Sequence, residues 1–238
     1  MLVSAAVCPC PPLLVPEVAA GAAPELDAVR DACADALGVL AASRPDRLVV
    51  VGPADEGASG PHPEGATGSF HGFGVDVAVR LGAAGATTQS GRPLPVSLAV
   101  AAWLLDRVRW AGVPVEGVGI EERLAAERCA EAGRELAAGQ DRIALLVMGD
   151  GSACRTLKAP GYLDPRAAAF DAEAARALGT ADVPALKALD ASLAYELKAA
   201  GRAPWQVLAG AADGADLAGQ LLYEDAPYGV GYFVAAWS

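Results

Sequence analysis

The sequence predicts an α/β domain with a central, mostly parallel or mixed sheet flanked by helices, and three observations carry that expectation. Leu2–Val7, Arg47–Val51 and Arg142–Met148 are apolar almost throughout, as strands buried on both faces must be. Segments of helical period lie between them, which suits βαβ units. Hydrophobic residues make up 53% of the chain and aromatics only 5%, so its bulk is Ala, Val and Leu, small enough for helices to pack closely on a sheet. The 238 residues contain no Ser/Gly linker or charge run that divides them, so residues 1–238 read as a single domain.

The elements follow in order. Leu2–Val7 stops on Cys8-Pro9-Cys10-Pro11-Pro12, where the prolines can neither continue a ladder nor enter a helix interior. Between Pro24 and Ala42, Leu26, Val29, Cys33, Leu37 and Leu40 make one helical face. Arg47–Val51 ends on Gly52-Pro53, and a polar, Gly-rich passage from Ala54 to Ser69 reads as a long rim loop. Phe73, Val75, Val77 and Val79 alternate, as in a strand. Pro93–Trp110 reads as a buried helix with Pro95 in its first turn. Val113–Ile120 reads as a strand, and Glu121–Ala138 as a helix with Glu121 and Glu122 at its positive end. Arg142–Met148 is the most strand-like run and ends on Gly149-Asp150-Gly151-Ser152-Ala153-Cys154. Helices follow from Asp164, one capped by Asp182 and carrying Leu186, Leu189, Leu193 and Leu197, another from Pro204 to about Ala212. Gln220–Glu224 and Val230–Trp237 read as closing strands.

Charge and composition exclude several functions. A net charge of -11 argues against nucleic acid, whose phosphates need clustered Lys and Arg, and against an anionic membrane surface. No signal peptide is visible, and no run approaches the ~20 apolar residues that span a bilayer. Five cysteines at irregular spacing suggest no disulfide framework, so a cytoplasmic protein with reduced thiols is expected. Cys33 and Cys129 lie on apolar helical faces and read as core thiols.

No Walker loop, complete Gly-x-Gly-x-x-Gly, Gly-x-Ser-x-Gly or HExxH motif is present. The remaining polar groups follow strands: Cys8, Cys10, Asp55, His62, His71, Asp150, Ser152 and Cys154. In open α/β sheets, ligands bind beyond the carboxyl ends of the strands, so the three loops there are expected to share one rim and line the main pocket. Asp150, after the central strand, suits a ligand or a base, or caps its own turn. Each histidine suits a metal or proton-transfer role, or is simply solvated.

The stretches Ala5-Ala-Val-Cys-Pro-Cys10-Pro-Pro-Leu-Leu-Val-Pro-Glu17, Leu48–Pro53, Gly68-Ser-Phe-His-Gly-Phe-Gly74, Gly149–Ala153, Lys158–Asp164, Phe170-Asp171 and Gly201–Leu208 resemble the class III extradiol ring-cleavage dioxygenase superfamily, B-subunit type, in an actinobacterial branch. The resemblance covers nearly the whole chain. It implies a mixed sheet flanked by helices and a non-haem Fe(II) held at the strand ends by two His and one Glu, with a further His as base. Carried over, the first ligand position is Cys10, the nearest second ligand is His62, and the carboxylate candidate is Glu196. The catalytic His position falls on Cys154, with Asp150 and His71 as further catalytic candidates. The family's chemistry uses three histidines and this chain has two, so at least one role is vacant or otherwise filled. Cys10 as a thiolate would also suit Zn. The expectation is therefore a dioxygenase-like protein with an eroded site. The alternatives are a metal-dependent dioxygenase with a reorganised site and a non-catalytic small-molecule or protein-binding module. The partner expected is a small aromatic molecule; a homo-oligomer is compatible with the sequence.

Overall fold

The computed structural model describes residues 1–82, 92–110 and 112–238. The three apolar runs form β1 (Leu2–Cys8), β2 (Arg47–Ala54) and β7 (Ile143–Met148), hydrogen-bonded side by side and parallel, with β7 between the other two. Together with β3 (Gly60–His62), β6 (Val115–Glu121), β8 (Gly219–Asp225) and β9 (Tyr232–Trp237) they build a seven-stranded sheet in the order β3-β6-β2-β7-β1-β9-β8. β6 joins β2 in parallel, whereas β3 and the β8–β9 hairpin run antiparallel at the two edges. The fold is thus a single α/β domain with a mixed central sheet.

Strand alternation divides the core in two. Leu48, Val50, Leu146 and Met148 face α2 (Asp27–Ala42) and α3 (Val96–Arg107). Val49, Val51, Leu145 and Val147 face α4 (Ala126–Ala137), α5 (Ala167–Gly179), the short α6 (Val183–Ala188) and α7 (Ala191–Glu196), and α8 (Arg202–Ala211). A four-residue helix, α1 (Pro16–Ala19), precedes α2. Cys33 and Cys129 are buried in these layers, as their helical faces foretell.

Four expectations need correction. The passage Ala54–Ser69 does not stay on the rim: Gly60–His62 turns back along the sheet edge and pairs with β6, and Thr67–Ser69 forms β4 of a separate two-stranded sheet. The alternating stretch before Arg80 is mostly a turn around His71–Phe73, with only Ala78–Arg80 in β5; Phe73 is exposed, its ring tilted against that of Phe70. The helix expected from Glu121 begins at Ala126, because the Arg202 guanidinium takes the carbonyls of Glu122 and Leu124 that would otherwise serve the first turn. The leucine-rich helix after Asp182 is two helices, since Asp190 caps a new one through the N–H groups of Ser192 and Leu193.

Candidate functional site at the carboxyl end of the sheet

The loops after β1 and β7 meet because their strands are neighbours. The Gly149 N–H donates to the Cys8 carbonyl (3.0 Å), extending the parallel ladder one step past Met148. Two residues on, the Cys10 N–H donates to Asp150 Oδ1 (2.8 Å). The Asp150 carbonyl accepts from Gly201 N (2.8 Å), which brings the start of α8 to the same point. Glycine is required at 149, because a Cβ there would lie 2.4 Å from Gly201 Cα.

Burial sets the protonation of this cluster. Desolvation raises the Asp150 carboxyl to about 7, against the opposing hydrogen bond from Cys10. Desolvation also holds the Cys10 thiol well above its usual range, and the charges of Asp150 and Glu122 add to the effect. The pairs Ala5–Trp237, Ala6–Ala236 and Val7–Ala235 set the β1–β9 register; extended, it brings Tyr232 level with Cys10. Tyr232 is buried, and its phenol is raised by desolvation and then by Asp150. At neutral pH the site therefore offers a thiol, a phenol and a carboxyl group poised between its two forms.

The rest of the β7 loop is pinned. Ser152 donates to Asp171 through its N–H (2.7 Å) and its hydroxyl (2.8 Å), and Arg155 adds a third bond (3.0 Å). Asp171 is fully buried; desolvation raises its carboxyl, opposed by these three donors. The Gly151 N–H donates to Gly231 O and the Gly231 N–H to Ser152 O, tying the loop to the start of β9.

The sequence candidates do not all gather here. Cys10 and Asp150 are in contact. Cys154 lies in the opposite core layer, buried, with its thiol on the Leu197 carbonyl (3.4 Å) and raised by desolvation. The thiol is closed in by Gly161 and Leu197. His62 is on edge strand β3, four strand positions from β1, a separation of roughly 19 Å at sheet spacing. It is buried, with Nε2 on the Ala58 carbonyl (2.9 Å) and Nδ1 without a partner. His71 is exposed and paired with Asp76 (2.6 Å) on the β4–β5 excursion. Glu196 is exposed and paired with Arg166 (2.8 Å). The residues that the resemblance assigns to iron thus do not fit one ion, and among the described residues no group of three His, Cys, Asp or Glu side chains could hold a metal.

Sequence reasoning missed Tyr232 as a site residue, and Asp171 with Arg155 as the loop's anchor. Asp171 carried a signal: it sits four residues after Ala167 and seven before Leu178, both buried, so it lies on the apolar face of α5. Tyr232 carried none, since its place depends on strand register.

No protein-family profile and no curated protein sequence matches the chain. Among solved structures, it is similar to the crystal structure of uncharacterized protein JW3007 from Escherichia coli K12, at a TM-score of 0.54 and 17% identity over 99% of both chains. That likeness is one of fold.

Proposed function

We propose that this chain is an extradiol-dioxygenase-like protein without a ring-cleaving iron centre, whose carboxyl-end rim binds a small, oxygen-rich aromatic molecule through hydrogen bonds. The observation that carries the reading is the separation of the implied ligands. Cys10 is at the rim, His62 is on the far edge strand, and Glu196 is in a surface ion pair. A facial triad needs its ligands fixed within a few tenths of an ångström around one point. Asp150, the partly exposed member of the cluster, instead offers an acceptor suited to hydroxyl groups, with Cys10 and Tyr232 buried behind it. The test is anaerobic incubation with Fe(II), metal analysis after desalting, and oxygen uptake with several catechols. The reading expects neither retained iron nor substrate-dependent oxygen consumption; stoichiometric iron with catechol-dependent uptake would overturn it.

A second reading has one observation in its favour. A carboxyl group at about 7, on the rim beside Cys10, is matched to general acid–base work at neutral pH. Turnover of any phenolic or carbonyl substrate that follows a single ionisation near 7 and disappears in Asp150→Asn would favour it over binding alone.

A further inference from the structure

At the amino ends of the parallel strands, the full length of β2 from Cys10 and Asp150, lies a cavity of about 480 Å³. That volume is within the ~300–1,000 Å³ of small-molecule sites. Its apolar wall comes from Leu37 and Gly38 of α2, with Val108 and Val113 beyond α3. Its polar wall is cationic: Arg44, just past α2, and Arg109, just past α3. Trp110, whose buried Nε1 has no acceptor, completes it.

The two arginines hold equivalent positions. Each is the residue after a helix C-cap, with left-handed backbone (φ 50° and 54°). After α3 the cap is a Schellman arrangement, with Arg109 N–H on Asp106 O (2.9 Å) and Trp110 N–H on Leu105 O (2.9 Å). Glycine is the usual residue there, because a Cβ in this conformation costs ~1–2 kcal/mol. A helix C-terminus favours a nearby cation, and Ala181 and Lys198 hold the same left-handed position after α5 and α7, so the conformation does not by itself single the arginines out. Neither that preference nor the conformation requires two guanidinium groups on one cavity. Among the described residues neither side chain has a hydrogen-bond or ion-pair partner, in a chain with a net charge of -11.

We infer that this cavity is a binding site, separate from the carboxyl-end rim, for an amphipathic organic anion: an apolar body seated against Leu37, Val108 and Val113, with a carboxylate or phosphate head held between Arg44 and Arg109. Guanidinium forks match either head and bind it in two-point fashion.

Octanoate and octyl phosphate, titrated calorimetrically into the intact protein, carry the two heads; octan-1-ol carries the same chain with no charge. At least one anion should saturate a single site, with octan-1-ol at least tenfold weaker. The double variant Arg44→Gly/Arg109→Gly should bind that anion at least tenfold more weakly. Glycine relieves the left-handed strain, so the variant should melt no lower than the wild type, and lost binding cannot be lost folding. Trp110→Phe should reduce the quenching of tryptophan fluorescence on anion addition. Failure of both anions to saturate at millimolar concentration, equal binding of octan-1-ol, or undiminished binding by the double variant would overturn the inference.

Discussion

Asp150 is where a single residue's chemistry reaches furthest. Its carboxyl rises from 3.8 to about 7 on folding, so between these values the folded protein holds a proton that the unfolded chain releases. Stability from this group is therefore highest below about pH 4, falls as pH rises, and has lost at most about 4 kcal/mol above pH 7. Asp150→Asn keeps an acceptor for the Cys10 N–H and removes the charge. It should raise the melting temperature at pH 8 by several degrees and change it little at pH 4.5; a uniform shift at both values would refute the assignment. Asp171, also raised by desolvation, matters through the partners it holds. It is fully buried and bonded to Ser152 and Arg155, so Asp171→Ala strands a guanidinium and two further donors. A loss of about 3–5 kcal/mol in urea-unfolding free energy is expected. All five cysteines are buried, so a disulfide reagent should label none of them rapidly in the native protein; fast reaction of Cys10 would place it on an open surface.

At the scale of elements, periodicity identified the parts that are buried in a regular way. Leu26, Val29, Cys33, Leu37 and Leu40 are all in the core, and the three apolar runs are neighbouring strands. It failed where a long-range polar contact decides a boundary. Nothing near Glu121 shows that Arg202 will reach back to the carbonyls of Glu122 and Leu124 and delay α4. Nor does Gly60-Pro-His62 look like a strand; it becomes one because β6 presents an open edge. The contact between α4 and α8 was equally hidden. Glycines meet backbone across it: a Cβ on Gly133 would lie 1.9 Å from Val207 O, and one on Gly210 2.0 Å from Ala130 O. Alanine gains up to ~1 kcal/mol in helix propensity, but here the helices must separate, an overpacking cost of ~1–3 kcal/mol or more. Gly133→Ala should therefore lower the urea midpoint with an unchanged m-value; a rise would mean the helices are not in close contact.

At the scale of the whole molecule, the sheet order explains why one end is a candidate site and why both histidines lie outside it. β7 between β1 and β2 brings Cys10 and Asp150 together, as the sequence led one to expect of loops that follow parallel strands. The same order sends the residues after β2 away, through β3, to the opposite edge with His62. Sequence showed that the chain holds two histidines; only topology shows that both lie outside the Cys10–Asp150 cluster. No helix among the described residues is long and apolar enough to cross a membrane. The central claim is that the carboxyl-end rim is not a metal centre, and an anaerobic Co(II) titration followed by optical absorption tests it most directly. Cobalt bound by the protein in place of iron would develop ligand-field bands, and a Cys10 thiolate on it would add a charge-transfer band. The account expects the spectrum of free aqueous Co(II) at every addition. One equivalent of bound cobalt, with a thiolate band that Cys10→Ser abolishes, would contradict it.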